Sequence, residues 1–257
     1  MSESAPKIAF FAAFESGFEI LSFVLDHPYR PALVATSARD DSPYEERIFE
    51  LCGARDVDVL RDVDVNDPAV IDALRCKAID LAVLAWWPSI LKMDAIDAVP
   101  RGWINLHPSL LPYNRGKHPY YWSIVEGTPF GVTIHLVDEG IDSGPILFQK
   151  RIDVTPADTG ETLYDKGRQQ VVQLFKDHLP EILAGDLHPV PQDESIATRH
   201  FAKQLDAHSR IDLDRTYTAR ELIDIVRART FMKGDSAYFV ENGRRYRVKL
   251  VIEEEAK

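Results

Sequence analysis

The chain has 257 residues, 45% of them hydrophobic and 28% charged. That suffices for one globular domain with a small appendage, and no disulfide or metal staple is needed to stabilise it. Acidic residues outnumber basic ones by 41 to 30, a formal charge of -11, which repels nucleic acid and anionic membranes, and no run rich in Lys or Arg offsets it.

No stretch approaches the roughly 18 apolar residues of a membrane span, so no membrane insertion is expected. The polar start Met1–Lys7 leads into Ile8–Phe14, an apolar run closed by Glu15 that reads as a first core strand and not as a signal peptide. Cys52 and Cys76 match no zinc-ligand spacing and make no disulfide framework, so both are expected as buried free thiols in a reducing cytoplasm.

Short apolar runs alternate with amphipathic segments through the first half, the pattern of a parallel sheet wrapped by helices. Strands are expected at Ile8–Phe11, Ala32–Thr36, Val57–Leu60 and Ile79–Ala85, with helices at Phe18–His27, Tyr44–Cys52 and Pro68–Arg75 between them. Asp67 is placed to cap the third helix, with Pro68 at its first position. Ile104–His107 predicts a further strand, Pro119–Glu126 a helix ended by Gly127, and the β-branched runs Gly131–Val137 and Ile146–Val154 two more strands. A long helix over Thr162–Ala184 closes at Gly185. Asp186–Ser195, with Pro189 and Pro191, has the texture of a linker. Beyond it lie a helix, Ala219–Arg229, and two β-rich runs, Ala237–Val240 and Arg245–Ile252, joined by the hairpin signal Asn242-Gly243. The expected class is α/β: a doubly wound, mostly parallel sheet over residues 1–185, a linker over 186–210, and a small C-terminal α+β extension over 211–257 ending in a β-hairpin.

The first βα turn, Phe10-Phe11-Ala12-Ala13-Phe14-Glu15-Ser16-Gly17, holds a single glycine. A dinucleotide pyrophosphate needs a Gly-x-Gly-x-x-Gly turn, so NAD is not expected, and there is no P-loop. No Cys/His cluster has ligand spacing, so no metal is expected either.

The chemistry concentrates between Asn105 and Gln149. Residues two apart on a strand share a face, so Asn105 and His107 project together at the carboxyl end of a strand, just before Pro108 breaks the ladder. An amide beside an imidazole suits acyl transfer, the one holding a developing oxyanion and the other handling protons. Taken alone, Asn-x-His at a strand end is usually just a polar terminus. Downstream, Gly131–Pro145 runs from a strand into a loop with three acids and two glycines. Asp142, between Ile141 and Gly144, is the acid best placed to be partly buried and to orient His107, whereas Asp138 and Glu139 also suit a solvated turn. His135, mid-strand and on the face of Thr133, reads as a hydrogen-bonded core histidine. The remaining histidines fall in helices or linkers and are expected at the surface.

Asn105–Gly116 together with Gly131–Gly144 resembles the signature of the formyltransferases that use 10-formyltetrahydrofolate, whose members formylate glycinamide ribonucleotide, methionyl-tRNA or amino sugars. The resemblance covers about 45 residues at the motif core. It implies a Rossmann-like formyltransferase fold, with Asn105, His107 and Asp142 as the catalytic residues and 10-formyltetrahydrofolate as donor. It places the folate along two loops, with Trp86, Trp87, Ile90 and Leu91 on one and Asp138, Glu139, Gly140 and Ile141 on the other. Trp86-Trp87-Pro88 is bulkier than the small residues many relatives use there, and the two indoles suit core filling as well as a ligand.

An acidic chain with a short C-terminal extension closing in a hairpin looks like the sugar N-formyltransferase subgroup. The implied acceptor is a nucleotide-linked amino sugar, such as the 4-amino sugar of GDP-perosamine, destined for surface polysaccharide (O-antigen). Ser109, Arg115, Gly116, Lys117 and Tyr121 are the expected acceptor contacts, although the same loop reads equally as solvated. The paired C-terminal β-runs leave an edge for a second subunit, so a homodimer is expected. The rival readings are a formyltetrahydrofolate hydrolase, a formyltransferase for glycinamide ribonucleotide or methionyl-tRNA, and a non-catalytic folate- or nucleotide-binding module.

Overall fold

The computed structural model describes residues 6–255; most of the polar start and the last two residues lie outside it. The chain gathers into two compact units. The first runs to His107 and takes in Thr133–Gln149 and Gln169–Gln192; the second holds Pro108–Val132, Lys150–Arg168 and the chain from Asp193 onward.

Five short strands follow the apolar runs: β1 (Ile8–Ala12), β2 (Leu33–Ser37), β3 (Val59–Val63), β4 (Leu81–Ala85) and β5 (Trp103–His107). Between them lie α1 (Phe14–Asp26), α2 (Tyr44–Gly53), α3 (Pro68–Cys76) and the single turn α4 (Met93–Ile96). β7 (Phe130–Leu136) and β8 (Ile146–Ile152) complete a seven-stranded sheet ordered β3-β2-β1-β4-β5-β7-β8. β1 to β5 pair in parallel, and β7 runs antiparallel to β5. The strand order reverses between β1 and β4, the topology that places ligands outside the carboxyl ends of the strands.

Both faces of the central strands are covered, which is why they read as continuous apolar runs. β1 and β4 are fully buried along their length. One face, carrying Ala9, Phe11, Leu33 and Leu84, packs against Val70, Ile71 and Leu74 of α3 and Ala95 of α4. On the opposite face Phe10 meets Phe175 edge-on, ring centroids 6.3 Å apart, in the long helix α6 (Gly160–Ala184). Local signals set the helix ends: the Asp67 carboxylate accepts the Ala69 amide at 2.8 Å with Pro68 in the first turn.

The second unit carries α5 (Pro119–Glu126), closed by Gly127 in the left-handed region, and the two-residue strands β6 (Arg115–Gly116) and β9 (Arg199–His200), paired in parallel. α7 (Ala202–Ser209) and α8 (Ala219–Ala228) follow. Thr218 and Glu221 close a reciprocal capping box on α8, at 3.1 and 2.7 Å. β10 (Ala237–Glu241) and β11 (Arg244–Val248) form the hairpin, with Asn242 and Gly243 both at positive φ (49° and 72°), the backbone of a type I′ turn.

Several expectations change. β3 starts two residues late because the Val57 amide bonds the Cys52 carbonyl and closes α2. Cys52 is buried, where burial pushes its thiol up to about 11, but Cys76 is exposed, at the end of a helix whose apolar face is Val70, Ile71 and Leu74. His200 is buried, stacked on Trp122 at 3.9 Å. Elements of two to four residues, β6, β9 and α4, have too short a pattern to show a period. Among the described residues no helix is long and apolar enough to cross a membrane.

Phe10 fills the sheet–α6 interface with no exposed surface. Phe10→Ala should therefore lower the unfolding free energy by about 3–5 kcal/mol, read as a fall in the urea midpoint at unchanged slope.

Candidate active site

His107 is the last residue of β5, and Asn105 lies two residues before it on the same face. The antiparallel register sets Asn105 opposite His135 and His107 opposite Thr133. Past β7 the chain turns through Asp138–Gly144. Here Asp138 Oδ1 accepts the Gly140 amide at 3.0 Å and the Ser143 hydroxyl at 2.8 Å. Asp142 follows in the left-handed region, at φ 50°.

Four side chains converge. His135 is almost fully buried, and its Nδ1 lies 2.7 Å from the Leu136 carbonyl. A carbonyl only accepts, so Nδ1 carries the proton and Nε2 the lone pair. Asn105 Nδ2 sits 3.2 Å from that Nε2 and 3.4 Å from Asp142 Oδ1. The amide orientation follows: flipped, the Asn105 oxygen would face a lone pair and a carboxylate at once. Asp142 lies between the two imidazoles, 3.7 Å from His107 Nδ1 through one oxygen and 3.7 Å from His135 Nε2 through the other. His107 Nε2 is buried and has no hydrogen-bond partner among the described residues. An orphaned imidazole nitrogen of this kind costs about 1–3 kcal/mol, which an incoming polar atom recovers.

Of the residues expected to act together, Asn105, His107 and Asp142 are brought together. His135, expected as a hydrogen-bonded core residue, is one, and it also belongs to this cluster. Alternation alone does not reveal that; the β5–β7 register does.

Among the expected folate residues, Trp87 packs edge-on against Phe11 at 5.2 Å, with its indole Nε1 buried and lacking a partner among the described residues. Trp86 stands at φ 63°, Leu91 is buried and Ile90 is 69% exposed, its carbonyl accepting from Asn66. The orphaned Trp87 and His107 nitrogens fit a ligand with polar edges.

In the second unit Ser109 is buried and Lys117 is exposed. Arg115 is buried and paired bidentately with Glu194 at 2.6 and 3.0 Å, which holds the Glu194 carboxyl below its ordinary range. Gly116, at φ 92°, lies so close to His200 that an added Cβ would stand 2.2 Å from its carbonyl oxygen. Tyr121 is fully buried, its hydroxyl donating to the His208 carbonyl at 3.0 Å.

These features place the chain among doubly wound α/β proteins with a polar cluster at the carboxyl end of a strand. Residues 29–179 match the family described as formyl transferase, and the chain belongs to that family. Residues 204–254 match the N-formyltransferase dimerization C-terminal domain. The methionyl-tRNA formyltransferase of Myxococcus xanthus is 34% identical over 182 residues, 70% of this chain and 56% of that protein, so the chain spans only about half of that relative's length. A 4-N formyltransferase from Francisella tularensis superposes with a TM-score of 0.82 at 24% identity, over 97% of this chain and 99% of that one. The N-formyltransferase from Helicobacter canadensis, solved with folinic acid and dTDP-3-aminofucose, gives 0.70 at 18% identity, over 93% and 85%.

Burial pushes the His135 imidazole down from 6.5 to about 4, against the opposing pull of Asp142 and aided by His107. The folded protein thus keeps this side chain neutral where the unfolded chain would protonate it. Its contribution to stability is complete above about pH 6.5 and is lost as pH falls from there toward 4. Urea unfolding from pH 7 to 5 should show a declining midpoint, and His135→Asn should flatten the decline; an unchanged slope in the variant would contradict the assignment.

Proposed function

We propose that the chain transfers a formyl group from 10-formyltetrahydrofolate to the free amine of a nucleotide-linked amino sugar. The observation that carries this reading is the convergence of Asn105, His107 and Asp142, with one His107 nitrogen left for a ligand. Family membership supports the one-carbon donor. The fold shared over most of both chains with the Helicobacter canadensis N-formyltransferase, solved with dTDP-3-aminofucose, supports an amino-sugar acceptor, and the charge of -11 disfavours tRNA. The finer reading is a 4-amino sugar such as that of GDP-perosamine, formylated in the cytoplasm for surface polysaccharide by a homodimer formed through residues 204–254. Trp86, Trp87, Ile90, Leu91 and Asp138–Ile141 are assigned to the folate; Ser109, Arg115, Gly116, Lys117 and Tyr121 belong to the acceptor side.

When bound, the folate supplies the formyl carbon; the acceptor's own amine is the nucleophile, so no Ser or Cys nucleophile is required. Asn105 donates an N–H to the formyl oxygen as it gains charge, giving up its longer, 3.4 Å bond to Asp142 for that purpose. His107 Nε2 receives the proton that the amine loses as the new C–N bond forms. It delivers that proton to the folate nitrogen as the old C–N bond breaks, which leaves the reaction proton-neutral. Asp142 orients His107 and stabilises its imidazolium. His135, kept neutral by burial, holds the Asn105 amide in register.

Asn105→Ala, His107→Ala and Asp142→Ala should each reduce turnover about 10²-fold or more with little loss of fold. The assay mixes protein, 10-formyltetrahydrofolate and a panel of amino-sugar nucleotides and follows a mass gain of about 28 Da, the net mass of the formyl group added. Donor consumed without any acceptor would transfer the reading to a hydrolase, and binding without turnover would transfer it to a binding module. Wild-type rates in all three variants would remove the catalytic assignment.

A further inference from the structure

Asp142 stands at φ 50°, a backbone conformation that costs a non-glycine residue about 1–3 kcal/mol and persists only where its surroundings over-determine it. Part of that constraint comes from the loop itself. Gly144 runs so tightly over the end of β7 that an added Cβ would stand 1.8 Å from the Leu136 carbonyl oxygen, and Asp138 ties Gly140 and Ser143 into a turn. A further part comes from far along the chain. The side-chain nitrogen of Gln192 lies 2.9 Å from the Asp142 carbonyl and 2.7 Å from the Gly144 carbonyl. A primary amide nitrogen carries two hydrogens, and these two carbonyls, two residues apart, take both.

Gln192 is itself held in place. Val190, two residues earlier, exchanges both backbone hydrogen bonds with Ile146 at 2.8 Å, so the strap Val190–Gln192 is stitched to the start of β8 directly beyond the loop. The amide nitrogen thus reaches backbone on either side of Ser143. Released from it, Asp142 is free to relax toward the right-handed region, which turns its Cβ, and with it the carboxylate, away from His107.

We infer that Gln192 is a positioning residue, which holds the Asp142 carboxylate between His107 and His135 by clamping the loop backbone in its left-handed form. The inference rests on the role proposed above for Asp142, and its test separates the two. Gln192→Met keeps the length of the side chain and removes both donors. Its crystal structure should show Asp142 out of the left-handed region and its carboxylate farther from His107 than the 3.7 Å found here. In the formyl-transfer assay its kcat should fall by about 10- to 100-fold, the size of effect expected from a displacement of about 1 Å, while KM for the amino-sugar nucleotide stays within about twofold.

An Asp142 that keeps its place in Gln192→Met overturns the inference. So does a kcat equal to wild type, even if the variant melts earlier, because a purely structural contact lowers the melting temperature and leaves turnover of the folded enzyme intact. Should the wild-type protein formylate no amine, the functional reading falls, and the crystal structure alone decides whether Gln192 holds the loop. Gln192→Asn, which keeps the donors one methylene short, takes the place of Gln192→Met in both measurements if the latter does not fold.

Discussion

The antiparallel pairing of β5 with β7 is the constraint on which the candidate site depends. It sets Asn105 opposite His135, so the amide of one strand meets the imidazole of the next at 3.2 Å. Because side chains alternate along a strand, a slip of one residue would turn all of these groups to the other face. The apolar neighbours Ile104, Leu106 and Ile134 are buried, and their burial ties the register to the stability of the core. Catalytic geometry and hydrophobic packing are thus specified by the same pairing.

Within that frame one amide organises the electrostatics. Asn105 donates toward His135 and toward Asp142, and those two groups make opposite demands. Burial keeps His135 neutral and an acceptor, whereas the carboxylate favours protonated imidazoles. The outcome is division of labour between two histidines 6.3 Å apart: His135 is committed through both nitrogens, and His107 keeps one nitrogen without a partner among the described residues. A buried polar atom left in this state is a cost to the folded protein, and such costs cluster at functional sites.

The loop that carries Asp142 shows the same economy of means. Its conformation is disfavoured locally and depends on glycine at 144, a side-chain-closed turn at Asp138, and a glutamine 50 residues downstream. In the second unit Arg115 and Gly116 are occupied in stitching their loop to Glu194 and His200, so the loop that the sequence suggests for the acceptor is held by internal partners along part of its length. Lys117 is the exposed cation of that loop.

Local physics made much of this legible from the sequence. Apolar runs marked β1, β2 and β4, the alternation Ile104-Asn105-Leu106-His107 marked β5, Asp67-Pro68 marked the start of α3, and Asn242-Gly243 marked the hairpin, because each depends on propensities and hydrogen bonds within a few residues. Asn105 and His107 were readable as a pair for the same reason, since strand geometry alone puts them on one face. The parts decided only by tertiary structure all depend on partners distant in sequence. They are the membership of His135 in the cluster, the burial of His200, the pairing of β6 with β9, and the hold of Gln192 on Asp142. No periodicity encodes a register between two strands or a hydrogen bond across 50 residues; these exist only once the chain has closed on itself.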